Sequence, residues 1–245
     1  MSEFTNSIVK CLEAFNRKER YWLIRNALEE GGRPLCLSET FRNRLSTSLD
    51  GLAIPETAWW GMDYHIDWLI GALLLHKHGE KITFGYNELP DQKRVVRGTQ
   101  EDFDFIVAFD KTIIIVEAKG VTAWSNEQIN AKCDRLTDLF SLPDLSEIDT
   151  RIYFLVTSPK NSASVPWSRF PEKVIGRKSG EKSEAFFMKM ELGSPAPEFW
   201  RIQRSDGTGP SADGKYWQVL IDEQLKRSLE AGPSARIQQN PTAEV

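Results

Sequence analysis

The chain has little of several things that would fix its chemistry at a glance. Its three cysteines, Cys11, Cys36 and Cys133, lie far apart without CxxC spacing, which excludes a disulfide framework and a cysteine-based zinc site. The three histidines, His65, His76 and His78, have no cysteine or further histidine at ligand spacing. His76 and His78 sit at the polar end of a helical stretch, where a cation complements the helix dipole, so no histidine metal cluster is expected. Long hydrophobic runs are missing too: the longest, Trp68–Leu75, is bounded by Asp67, His76 and Lys77 and falls well short of a membrane span. Residues 1–30 are studded with charges such as Lys10, Glu13, Arg17, Lys18, Glu19 and Arg20, and lack the apolar segment and small-residue cleavage site of a signal peptide. A cytoplasmic location without a membrane partner is therefore expected. Nor is there a basic excess. With a formal net charge of −4, any contact with nucleic acid must rest on local patches rather than on the whole-chain charge.

What is present suffices for a sizeable core: 245 residues, 40% hydrophobic and 27% charged, make one domain or one domain with an appendage. Residues 1–54 read as a helical N-terminal element, with helices around Glu3–Phe15, around Arg17–Glu29 before Gly31-Gly32, and after Ser38 as an N-cap. Residues 55–160 change character. A long apolar helix over 58–77 is predicted, then strands at 81–88, 101–109 and 112–119, a helix over 125–140 and a buried strand at 151–157, giving the order α-β-β-β-α-β. Residues 161–231 form a β-rich extension with strands at 185–192, 199–204 and 215–221 and a short helix at 222–230, and 232–245 have too little apolar content to pack and are expected to be disordered. The predicted class is α/β with a mixed central sheet.

The run EDFDFIVAFDKTIIIVEAKG, residues 101–120, carries the functional reading. Asp110-Lys111 is the one polar break between two β-branched and aromatic stretches, so a tight hairpin turns there. A loop of two or four residues centred on that pair sets Asp104 opposite Glu117 and Asp102 opposite Lys119; an odd loop sends the two acids to opposite faces. Like charges opposed across a strand pair destabilise a sheet, and a divalent cation between Asp104 and Glu117 removes that repulsion. Ala118 can add its backbone carbonyl, and Lys119 can orient an attacking water or offset charge building on a phosphate. The bland alternative is a solvated sheet face on which Asp102 and Lys119 pair. Against it, Phe103–Phe109 and Ile113–Val116 are apolar on both faces, as in an interior hairpin.

At these residues the chain resembles the PD-(D/E)XK nuclease superfamily: Asp104, then Glu117-Ala118-Lys119, within an α-β-β-β-α-β order over residues 58–157. Phe103 stands where the family name has proline. The resemblance implies a restriction-endonuclease-like core and hydrolysis of phosphodiester bonds, most often in DNA, with Mg²⁺ or Mn²⁺. It assigns Asp104, Glu117 and the Ala118 carbonyl to the metal, Lys119 to the reacting phosphate, and a supporting acid and glutamine to neighbouring helices. Asp67, deeper in the 58–77 helix, is favoured for that acid over Asp63, which lies four residues earlier on the same face. Gln128 fits the glutamine, although Ser125-x-x-Gln128 is equally a capping box. The loop 159–182, with Lys160, Arg169, Lys173, Arg177, Lys178 and Lys182 among Trp167 and Phe170, offers a basic track for a phosphate backbone. A homodimer or a partner protein stays open, as does a catalytically idle subunit of the same fold that binds nucleic acid or serves assembly.

Overall fold

The structure, a computed structural model, describes residues 7–29, 31–79, 88–89, 91–98, 101–119, 126–159, 167–179, 182–192 and 198–223. Three helices come first: α1 (Ile8–Phe15), α2 (Glu19–Leu28) and α3 (Glu39–Ser48). Ser7 and Ser38 start α1 and α3 because each hydroxyl accepts an orphan N–H of the first turn, from Lys10 and Phe41 respectively.

The stretch predicted as one helix over 58–77 is two elements, β1 (Trp59–His65) followed by α4 (Ile66–His78). Apolar density alone does not separate a helix from a buried strand, and here antiparallel pairing with the strand at Asp102–Phe109 decides. The Trp60 indole donates to the Leu35 carbonyl at 2.8 Å, and the buried Tyr64 hydroxyl donates to the Leu12 carbonyl at 3.0 Å. Gly61 makes room for the neighbouring indole, since a Cβ there would lie 2.9 Å from the Trp59 ring. α4 stops at Gly79, whose φ of 67° few other residues adopt.

Next come β2 (Asp102–Phe109), β3 (Thr112–Ala118), α5 (Asn126–Phe140), the one-turn α6 (Pro143–Ser146), β4 (Arg151–Ser158) and β5 (Val174–Ile175). Short strands β6 (Arg177–Ser179), β7 (Lys182–Glu184) and β8 (Phe186–Lys189) follow. The strand predicted at 81–88 lies outside the described residues but for Glu88, as do the 222–230 helix beyond Glu223 and the 232–245 tail. The central sheet runs β1-β2-β3-β4-β5, with β8 also pairing β4. β1–β2 and β2–β3 are antiparallel, β3–β4 and β4–β5 parallel, so the sheet is mixed as predicted. α5 is the crossover that a parallel β3–β4 connection requires.

Apolar residues cover both faces of the sheet. α1, α4, α5 and α6 close one face over Ile106, Ile113, Ile115 and Phe154; α2 and α3 close the other over Val107, Ile114 and Leu155, where Phe186 and Met188 of β8 join the cluster. β3 is the anchor, because Ile113, Ile114 and Ile115 are all fully buried. Each contributes about 1.5–3 kcal/mol through burial. But for the last residues of β4 and β8, Ser158 and Lys189, these elements belong to one compact unit, Met1–Ala118, Trp124–Thr157 and Ser162–Met188. The second unit, Lys119–Ala123, Ser158–Asn161 and Lys189–Val245, contains an antiparallel hairpin of β9 (Trp200–Ser205) and β10 (Tyr216–Ile221), close to the strands predicted at 199–204 and 215–221.

Candidate metal centre

The geometry begins with the turn. Two residues, Asp110 and Lys111, join β2 to β3, and Asp110 takes the left-handed φ of 48° that such turns need and that aspartate tolerates. The register runs from Phe109↔Thr112 to Phe105↔Val116. One residue further it sets Asp104 against Glu117, the even-loop arrangement read from the sequence. Both acids fall on the face covered by α4 and α5. Asp104 lies close enough to Glu117 to raise its carboxyl, and the Ala118 N–H donates to Asp104 Oδ2 at 2.7 Å. Glu117 is only 3% exposed, while Asp104 is half-buried.

The cation against this pair comes from α5. Lys132 donates through Nζ to Glu117 Oε1 at 2.6 Å, and the ammonium also lies 5.8 Å from the centre of the Phe103 ring. Burial pushes the Glu117 carboxyl up from an ordinary 4.5 to about 7; Lys132 opposes the rise and Asp104 adds to it. When protonated, Glu117 donates to the Asp104 carboxylate, and that bond further favours the acid form.

More charge gathers at the same end of the sheet. The Lys18 ammonium is 2.5 Å from Asp102 Oδ2, and Arg20 Nη1 is 2.9 Å from Asp63 Oδ2. β1 and β2 share an irregularity there. Gly61↔Ile106 and Met62↔Phe105 face opposite sides in normal alternation, yet Tyr64↔Phe103 returns to the α4 and α5 side. The skipped row is Asp63–Asp104, and Asp63 has a φ of 47°, uncommon for a residue with a side chain. Asp63, Asp104 and Glu117 thus occupy the positions that this interrupted register would align across β1, β2 and β3.

Of the residues singled out from the sequence, the fold brings Asp104, Glu117 and Ala118 together. β3 ends at Ala118, so the alternation expected to carry Lys119 onto the Glu117 face stops one residue short of it; Lys119 is half-buried directly after the strand. Asp102 pairs with Lys18 rather than with Lys119. Gln128 lies in α5 one turn before Lys132, and its side chain, like Ser125, lies outside the described residues. Asp67, proposed from the sequence as a metal ligand, has another task. Its carboxylate accepts from the Arg135 guanidinium and from the backbone N–H groups of Arg97 at 3.1 Å and Gly98 at 2.7 Å. Arg135, 1% exposed, also donates to the Val95 carbonyl at 2.6 Å and has its Nε 3.2 Å from Glu101 Oε2. Asp67 is an internal anchor for the chain leading into β2, and its helical neighbourhood gave no sign of the buried arginine 68 residues away.

Where it is described, the basic loop is tied to the protein by some of its side chains, while Arg177 and Lys178 are exposed. Arg169 forms a bidentate pair with Asp134 at 2.8 Å, Lys173 donates to the Ile148 carbonyl, and Phe170 packs on Phe154 with ring centres 4.6 Å apart. Lys160 and the Trp167 side chain lie outside the described residues. Lys18 and Arg20 escaped the sequence reading because nothing local links Lys18 to an acid 84 residues away. Lys132 had a signal in its helical spacing from Gln128.

An oxygen-only pair of carboxylates with one raised acid suits a hard divalent cation such as Mg²⁺ or Mn²⁺, which completes its shell with water and substrate oxygens. Among the described residues, no three carboxylate, imidazole or thiolate groups converge as a ready-made cage. The pair fits the open, substrate-completed kind of site. Comparison of the chain with protein-family models, with curated proteins and with solved structures finds no match.

Proposed function

We propose that the protein is a divalent-metal-dependent nuclease of the PD-(D/E)XK type, hydrolysing phosphodiester bonds in DNA. The observation that carries this reading is the pairing of the buried Glu117 carboxyl on β3, raised to about 7, with the half-buried Asp104 on β2. Two acids drawn together inside a protein are poorly placed for stability and well placed for a cation. The order of elements gives further support. The elements run α3, β1, α4, β2, β3, α5, α6, β4, with antiparallel β1–β3 and a parallel β4; counting α3 as the first helix and α4 and α6 as insertions gives the α-β-β-β-α-β order of a restriction-endonuclease-like core.

In this reading Asp104 and Glu117 hold Mg²⁺ or Mn²⁺, with the Ala118 carbonyl as a further oxygen ligand. The ion, when bound, supplies Lewis-acid polarisation of the phosphodiester and neutralises its charge. Asp104 is oriented by the Ala118 N–H, and Glu117 is kept from water by the β3 and α5 side chains around it. Lys119, by its place in the motif, offsets charge on the phosphate, and Gln128 supports the site from α5. The cellular setting belongs to the same proposal: defence against foreign DNA or DNA repair, in the cytoplasm, as a homodimer or with a partner protein. No helix among the described residues is long and apolar enough to cross a membrane.

The test is incubation of the protein with plasmid and linear DNA in Mg²⁺, Mn²⁺ or EDTA, beside Glu117→Ala and Lys119→Ala. Cleavage that needs the metal and disappears in both variants is the expected result. A protein that neither cuts nor binds Mn²⁺ through Glu117 overturns the reading. One observation favours a second reading, an idle nuclease fold that binds nucleic acid or serves assembly: Lys132 forms an ion pair with Glu117. That reading predicts DNA binding indifferent to Glu117→Ala.

A further inference from the structure

We propose that Lys132 is a resident counter-ion which holds the Glu117 carboxylate in position until a divalent cation enters, and that the entering cation displaces it. The inference rests on the metal reading of Asp104 and Glu117 and adds a positioning residue that the motif does not contain. Lys132 Nζ sits 2.6 Å from Glu117 Oε1, and the two side chains are 15% and 5% exposed. A carboxylate so buried needs a positive charge beside it, and in the metal-free protein Lys132 supplies that charge. A divalent ion on the same carboxylate would meet the ammonium at contact distance in a region of low dielectric, where like charges repel strongly.

The side chain is built to yield. Ile129, Cys133 and Leu136 fix α5 in the core, while a four-carbon stem lets the ammonium move without the helix. A second resting place adjoins the first: the face of Phe103, whose ring centre is 5.8 Å from Nζ and whose residue immediately precedes Asp104. An ammonium that shifts from Glu117 toward this ring stays at the site. It leaves the carboxylate to the metal and lies where an incoming phosphate adds negative charge. Lys132 thereby makes the empty pair tolerable and sets the threshold for metal entry.

The test titrates Mn²⁺ into the full-length wild type, Glu117→Gln, Lys132→Met and Lys132→Gln, following free Mn²⁺ by electron paramagnetic resonance. Thermal unfolding in EDTA checks each variant for folding. Lys132→Gln keeps a hydrogen-bond donor for Glu117 and decides the matter if Lys132→Met does not fold. The expected result is binding by the wild type, none by Glu117→Gln, and binding at least about tenfold tighter in the Lys132 variants, as removal of one adjacent like charge requires. Unchanged or weaker binding in the Lys132 variants overturns the counter-ion role and leaves the metal site standing, because Lys132 would then be supporting the ligand. Binding by the Lys132 variants alone supports the role in its strongest form. No Mn²⁺ binding by any of the four proteins overturns this inference and the metal reading together.

Discussion

Replacing Glu117 by glutamine makes the energetics of the candidate site measurable without any assumption about its substrate. Burial raises the Glu117 carboxyl from 4.5 to about 7, with Asp104 on β2 adding to the rise and Lys132 on α5 opposing it. The unfolded chain binds its proton with the ordinary value. A group raised in the folded state favours folding fully below pH 4.5, and that contribution is lost as pH climbs through about 7. At about 1.4 kcal/mol for each pH unit, the loss amounts to roughly 3 kcal/mol by pH 8. For a chain of this size that corresponds to roughly 6–12 °C in melting temperature. Glutamine does not titrate, so the difference in stability between the wild type and Glu117→Gln isolates this one group from all the others. The measurement is denaturant unfolding of both proteins from pH 4.5 to 8 in EDTA. The wild type should lose about 3 kcal/mol relative to the variant over that range. Saturating Mn²⁺ should return most of the loss to the wild type and none to the variant, since the cation binds the ionised carboxylate. A difference that is flat across this pH range would show that Glu117 is not a buried, raised acid, and the case for a poised carboxylate pair would fail with it.

The other predictions concern the frame around the pair. Asp67→Asn should destabilise the fold by about 3 kcal/mol, because it leaves the buried Arg135 with half its charge partners, while Mn²⁺ affinity stays unchanged. A folded Asp67→Asn protein with weakened Mn²⁺ binding would return Asp67 to the metal site. Asp110→Val should cost about 1–2 kcal/mol in chemical denaturation, and Asp110→Gly should stay within about 0.5 kcal/mol of the wild type, because only the first places a β-branched residue at a φ of 48°. Equal stabilities would mean that the turn is not the source of the register.

The hairpin was legible because three independent sequence signals agreed on it: a two-residue polar break, β-branched runs on either side, and acids spaced symmetrically about the break. Register follows from such local signals when the loop is short and both faces are buried. α4 and β1 were not separated because Trp59, Trp60, Met62 and Tyr64 are apolar at spacings that satisfy a helix and a strand alike; only the partner strand β2, some forty residues on, distinguishes them. The partner of Asp67 was hidden for a related reason. An acid in an apolar helix signals that a partner exists but not which one, and the buried guanidinium of Arg135 is a long-range fact.

The charges at this end of the sheet point in one direction. Asp63 has Arg20, Asp102 has Lys18 and Glu117 has Lys132, each pair joining elements that are distant in sequence. Asp104 is met by the Ala118 N–H and the Glu117 carboxyl. The Asp104, Glu117 and Lys132 cluster is therefore one positive charge short when both acids are ionised, and a proton on Glu117 supplies it near neutral pH. Proton and metal thus compete for the same deficit. Mn²⁺ binding should release close to one proton below about pH 7 and progressively fewer above it, so affinity should rise about tenfold per pH unit up to that point and then level off. Potentiometric titration during metal addition measures this release directly. Binding without proton release at pH 6 would mean that the ion sits somewhere other than the Asp104–Glu117 pair.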